Sequence, residues 1–261
     1  MNQDRVKELL LSIEDVPLDF SVVFTGKKSK KVNGLYKPDI REILIHNRNF
    51  TEDNMLMYTA IHEYAHHVHC CSKGGKLSAR AHTADFWAIL HGLLQKAEER
   101  GVYHNVFADS PELEELTETI RKRYLYENGS LVKELGKLLL QANEICGRIG
   151  ARFEDYVDRV LRIPRVAAKT AMKIYQYNVN PSMGADNMKL VAGIPNEETR
   201  AAAEGALLAG KSPDEVRVAI ARKSGDDDHK LRLEKEKIRL ERTIESLNKR
   251  LEEVERALEE S

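Results

Sequence analysis

The chain has 261 residues, 42% hydrophobic and 32% charged, enough for two domains of ordinary size and too mixed for one large core. Its 41 basic and 42 acidic residues leave a formal net charge of −1, which excludes a global electrostatic pull toward nucleic acid or membrane and leaves only local patches. Three cysteines, Cys70 and Cys71 adjacent and Cys146 distant, exclude a disulfide framework and fit a reducing, cytoplasmic setting.

In chain order, MNQDRVKELLLSIEDV reads as an amphipathic helix; its acidic residues and three-leucine apolar core are unlike a signal peptide. No run approaches the roughly eighteen apolar residues of a membrane span, so no membrane partner is expected. LDFSVVFTG alternates Leu18, Phe20, Val22 and Phe24 with more polar neighbours, the period of a half-buried strand. After the basic turn GKKSKK, VNGLYK and REILIHN are two further short strands, with Pro38 and Asp39 turning between them. Lying just before a helix, residues 43–46 read as an edge strand. That strand is either plain structure or a line on which an extended peptide docks by strand addition. Thr51 is the expected N-cap of the helix, with Glu52 and Asp53 favourable in its first turn.

That helix carries the chemistry. Within IHEYAHHVHC, residues 61–70, His62, Glu63 and His66 spell H-E-x-x-H. Residues four apart stack on one helical face, so both imidazoles can reach one Zn²⁺. Glu63 lies roughly 100° round from His62, placed to hold a water beside the metal and take its proton.

A catalytic zinc needs a third protein ligand and an open fourth position. Cys70 stands roughly 12 Å along the axis from His62, too far to close a tetrahedron, and His69 continues the same helix. The metzincin pattern fails, because His69 and Ser72 occupy the places of its Gly and third His. Glu98 and Glu99 lie within a charged KAEER run and read as solvated surface. His82 is preferred: Gly74 and Gly75 let the chain reverse before it, and it opens the next apolar-periodic segment, HTADFWAILHGLL. Phe86 and Trp87 on that segment read as core that holds the third ligand in place. His46, His67, His69, His91 and His104 read as surface or supporting groups, and Cys70 and Cys71 as packed thiols.

HEYAH, the sixteen-residue step from His66 to His82, and HTADFW together resemble the SprT-like and related minimal zincin metallopeptidases over roughly residues 15–98. The resemblance implies His62, His66 and His82 as zinc ligands and Glu63 as general base. Tyr64 within the motif and Thr83 where many relatives have Gly are departures that bear on substrate preference.

Beyond Gly101, Asp109-Ser110-Pro111 reads as a helix start and Asn128-Gly129 as its stop, giving a connecting helix over 106–130. From Leu131 the pattern is helical: LVKELGKLLLQANEIC, a break at GRIG, then ARFEDYVDRVL and RVAAKTAMKIYQYN around a tight turn at RIP. Helix, brief turn, helix is the layout of helix-turn-helix modules. Arg152, Arg159, Arg162, Arg165, Lys169 and Lys173 outnumber Glu154, Asp155 and Asp158 in that stretch. Three more short helices follow, with caps at Asn196 and Ser212, and residues 131–223 are similar to the helical regions of ParB-like DNA-binding proteins. A modest cation cluster fits phosphate contacts through Arg159, Arg162, Arg165, Lys169 and Lys173, with a plain helical bundle as the rival reading. After the polar linker at 224–230, Leu233, Leu240, Ile244, Leu247, Leu251, Val254 and Leu258 recur at heptad a and d spacing, with Lys237 at one such position. Residues 231–261 therefore read as a coiled coil that forms a homodimer or takes a partner helix.

The expected architecture is α+β: a zincin-like domain at 1–105, the connecting helix, an all-α helix-turn-helix-like domain at 131–223, and the coiled coil. The expected function is a cytoplasmic zinc endopeptidase acting on protein or peptide substrates associated with DNA. The competing class is a DNA-binding regulatory or partition-type protein in which the zincin domain is a non-catalytic scaffold.

Overall fold

In a computed structural model of the chain, residues 1–75 and 81–223 are described, with seven further positions between 233 and 244. Residues Met1–Arg217 and Val218–Ser261 form two compact units. The fold is α+β, mostly helical, with one three-stranded sheet.

Helix α1 (Gln3–Ile13) begins where the Asn2 side chain accepts the Arg5 N–H at 2.9 Å, and it buries Val6, Leu10 and Ile13 along one stripe. Strands β1 (Ser21–Phe24), β2 (Gly34–Lys37) and β3 (Glu42–Ile45) form a sheet in the order β1-β3-β2. β1 runs parallel to β3, with Val22 opposite Ile43; β2 runs antiparallel to it, with Tyr36 opposite the same residue. Residues 43–46 are therefore not an edge strand, as their sequence position suggested. β3 is paired on both sides, which encloses Ile43 and Ile45 completely. β1 and β2 are the two edge strands of this sheet. The His46 N–H donates to the Asn33 carbonyl at 2.9 Å, and antiparallel alternation then turns the amides of Gly34 and Tyr36 outward from the sheet.

Helices α2 (Asp53–Ser72) and α3 (Ala84–Glu99) complete this part, sharing one apolar core that includes Leu10, Phe20, Ile43, Ile61, Tyr64 and Phe86. Thr51 does not cap α2. A 3-10 turn at Asn47–Asn49 and the packing of Phe50 against the core put the cap position one residue later, at Glu52, without a side-chain hydrogen bond. Gly74 and Gly75 take left-handed backbone angles (φ 63° and 85°) as the chain leaves α2, the reversal read from the sequence.

Ser110 accepts the Leu113 N–H at 3.2 Å and, with Pro111, starts α4 (Pro111–Thr119). The helix then continues through π-helical turns at Ile120–Tyr126 into α5 (Glu127–Arg148). Asn128-Gly129 is thus no stop. Glycine stands at 129 for close approach, since a Cβ there would lie 2.5 Å from the Pro181 carbonyl oxygen. The helix ends before Gly150 (φ 71°). A short α6 (Phe153–Asp155) with π-helical turns at Tyr156–Leu161 is followed by a left-handed Arg162 (φ 56°) and α7 (Arg165–Gln176). Next come α8 (Ala185–Ala192) and α9 (Glu197–Leu208), the latter capped by Asn196, which accepts the Thr199 N–H at 2.8 Å. Ser212 opens a further helix in a reciprocal cap: its N–H donates to Glu215 at 2.8 Å, and its Oγ accepts the Glu215 N–H at 3.3 Å.

Two small apolar centres hold these helices. Leu139 of α5 meets Val157, Ala168 and Ala171, and Ile174 meets Val179, Met188 and Val191. The expected linker at 224–230 and most of the expected coiled coil lie outside the described residues; Leu233, Lys237, Leu240 and Ile244 are helical and exposed. Among the described residues no helix is long and apolar enough to cross a membrane.

Candidate metal centre

Helix α2 buries Ile61, Tyr64, Ala65 and Val68, which fixes its rotation and turns His62 and His66 together toward the start of α3. His82 arrives from the chain just before α3, whose first turn is capped by Thr83 accepting the Phe86 N–H. One ring nitrogen from each of His62, His66 and His82 lies within 4.8 Å of the others. The Nε2 atoms of His62 and His82 are 3.2 Å apart. Phe86, fully buried, stacks on His66 at 4.3 Å between ring centroids and meets the His62 and His82 rings edge-on at 5.1 and 4.7 Å. Trp87 lies beside His82 at 5.5 Å. One aromatic side chain thus touches all three imidazoles and sets their mutual tilt.

The donor set fits a metal ion. Only neutral imidazole ligates, and burial, with the neighbouring His62 and His82 rings adding to it, holds His66 down to about 4. Burial, with His82 adding, lowers His62 too. His66 is buried, His62 half-buried and His82 exposed, so the cluster opens to solvent on the His82 side.

Glu63, the residue after His62 on α2, is buried. Burial pushes its carboxyl up to about 7, against the lowering effect of the Tyr36 N–H that it accepts from the free edge of β2. Gly34 on that edge leaves the room: a Cβ there would lie 2.8 Å from Glu63 Cγ and 2.9 Å from Thr59 Cγ2. Tyr36 is itself anchored, its hydroxyl 2.9 Å from His67 Nδ1, while His67 Nε2 meets the Leu18 carbonyl at 2.9 Å. His67 therefore ties α2 to β2 and to the chain entering β1. Gly34, Tyr36 and His67 were not singled out as site residues from the sequence; a glycine inside a strand pattern was the one available signal of close approach.

The remaining histidines are engaged elsewhere or buried. His46 meets Thr25 at 2.9 Å, His91 meets Ser212 at 2.9 Å and His104 meets Asp109 at 2.6 Å. His69 is buried with no hydrogen-bond partner on either ring nitrogen among the described residues. Cys70 and Cys146 are buried thiols and Cys71 is half-buried. Far along the chain, Arg159, Arg162, Arg165, Lys169 and Lys173 are all exposed. Arg165, Lys169 and Lys173 follow one another at four-residue steps on α7, and Arg165 is ion-paired with Asp158. Comparison with protein-family models, with curated proteins and with solved structures returned no match.

Proposed function

We propose that the chain is a zinc-dependent endopeptidase of the SprT-like type, cytoplasmic, acting on protein or peptide substrates associated with DNA. The observation that carries this reading is the convergence of three imidazoles, the third facing solvent, with the buried carboxyl of Glu63 on the residue that follows the first of them. His62, His66 and His82 would hold a zinc ion, which would supply a Lewis acid for the scissile carbonyl and a lowered pKa for a water. Glu63, with its carboxyl raised to about 7, takes the proton of the attacking water and hands it to the departing amine. Gly34 and Tyr36 hold that carboxyl in place from β2. The outward edge of β2 is the line along which an extended peptide lies, and a cavity of about 330 Å³ lined by Asn33, Phe50, Met55, Tyr58, Thr59 and Phe107 receives one of its apolar side chains.

A scaffold without chemistry has no use for a buried carboxyl raised to about 7 on the residue next to His62, which favours catalysis over the regulatory reading. The exposed cations on and before α7 support DNA as a second partner. A homodimer or partner helix is proposed at the heptad positions beyond residue 230. The test compares the native chain with Glu63→Gln on casein and on a DNA-bound protein, with metal content measured in parallel. The Glu63→Gln chain should keep the metal and lose activity by about 100-fold or more, and chelator should abolish activity in the native chain. Undiminished cleavage by the metal-loaded variant would end the peptidase reading.

A further inference from the structure

Helix α5 has two apolar faces, and the fold uses only one. Gly129, Gly136, Leu139 and Cys146 are buried, and Leu139 and Gly136 meet α7. Roughly a third of a turn away, Leu131, Leu135, Leu138, Ala142, Ile145 and Ile149 form a second stripe at steps of four, three, four, three and four residues. Five of the six are open to solvent, from 42% exposed at Leu135 to 71% at Ile149, and Ala142 is half-buried. This is a coiled-coil seam about 27 Å long with nothing on it among the described residues.

The order of residues in the seam selects the occupant. Reversed about residue 140, the stripe maps onto itself: Leu131 falls on Ile149, Leu135 on Ile145 and Leu138 on Ala142. A second copy of α5 laid antiparallel therefore meets apolar with apolar in every layer, and a large Leu with a small Ala nearest the axis. The flank is self-complementary as well. Glu134, Gln141 and Arg148 lie at seven-residue steps on the side of the stripe away from α7, all exposed. Glu134 and Arg148 have no ion-pair partner among the described residues. In the antiparallel pairing Glu134 of each copy comes opposite Arg148 of the other, and the two Gln141 side chains meet near the centre. A two-fold interface requires one patch to match itself, and this patch does. Because α7 sits beside the seam, it does not stand between the two copies.

We infer that α5 is a homodimerisation surface, pairing antiparallel with α5 of a second copy about a two-fold axis near residue 140. This holds whether or not the chain is a peptidase. It is also separate from the heptad positions beyond residue 230.

The experiment uses the full chain with Leu240→Glu and Ile244→Glu, which removes the C-terminal seam at two exposed positions, and reads mass in solution by light scattering and sedimentation. This chain should remain dimeric. Adding Leu138→Glu, an exposed position whose change spares the packing of α5 on α7, should weaken the dimer by about 100-fold or more. Glu134→Arg should weaken it less, and Glu134→Arg with Arg148→Glu in the same chain should restore it, since each copy then again offers complementary charges. A monomeric Leu240→Glu/Ile244→Glu chain would assign the α5 stripe to the C-terminal segment and overturn the inference. Persistence of the dimer after Leu138→Glu, or failure of the double charge swap to restore it, would overturn it also.

Discussion

Gly34 and Glu63 approach more closely than any side chain at position 34 would permit, with a Cβ there standing 2.8 Å from Glu63 Cγ and 2.9 Å from Oε1. Gly34 does not have a positive φ, so the constraint is one of space. Gly34→Ala should displace the Glu63 carboxyl and lower kcat by about tenfold or more, since a shift of about 1 Å in a reacting group is enough. Overpacking should cost about 1–3 kcal/mol of stability. Zinc content, measured on the same sample, should stay near that of the native chain, because none of the three histidines is among the atoms nearest to position 34.

Metal binding should be read most cleanly as stability. Zinc at about 100 times its dissociation constant should stabilise the folded chain by about 2.7 kcal/mol, seen as a higher Tm that chelator reverses. His82→Ala removes the one ligand that lies outside α2, and with it most of that increment. Its exposed position predicts little change in the Tm of the metal-free protein.

Two buried groups oppose each other in the metal-free protein. His66 falls from an ordinary 6.5 to about 4, so as pH drops through that window the unfolded chain takes up a proton that the folded chain refuses, and stability is lost. Glu63 rises from 4.5 to about 7, so as pH drops from 7 toward 4.5 the folded chain takes up the extra proton, and stability is gained. Each effect is on the order of 3 kcal/mol, and between pH 4.5 and 6.5 they cancel in large part. Glu63→Gln should leave His66, and with it the lowered His62, His67 and His69, unopposed, giving a chelated protein that loses stability more steeply than the native chain on acidification from 6.5 to 4. His66→Gln should shift the balance the other way, losing less stability than the native chain as pH falls from 6.5 to 4.5. Urea denaturation across that range checks both signs.

In the helical part, a Cβ on Gly136 would lie 2.0 Å from the Ala171 carbonyl oxygen, a backbone atom that cannot swing aside. Gly136→Ala should separate α5 from α7 and cost about 3 kcal/mol, at the high end for overpacking. Helix propensity alone would make the same substitution stabilising by about 1 kcal/mol. Denaturation of the variant decides between the two signs.

If α7 meets DNA, Lys169 and Lys173 should contribute more than Arg165, whose charge is already matched by Asp158. Each lysine-to-alanine change should reduce the slope of log affinity against log salt by about 0.9 for duplex DNA, and Arg165→Ala by less. Salt titrations of the native chain and the three variants measure this directly, and an affinity indifferent to salt would remove DNA from the list of partners.

The local elements were legible where one short-range signal dominates. Asn196, Ser110 and Ser212 cap the helices that their positions announced, because a cap is settled within three residues. Glycine misled at 129, where it reads as a terminator and in fact makes room for the Pro181 carbonyl from more than fifty residues away. Strand order misled for a similar reason. Nothing between residues 21 and 45 states that the last strand inserts between the first two, since that choice follows from which strand must be covered on both sides.

The sequence by itself determined that His62 and His66 share a face of one helix with Glu63 beside them, because a helix repeats every 3.6 residues whatever surrounds it. Only the tertiary structure decided that His82 reaches the other two rings, that Gly34 and Tyr36 hold the carboxyl, and that one of the two apolar faces of α5 is left uncovered. Those facts depend on which distant elements pack together, and burial of the whole core sets that, not the spacing within any one segment.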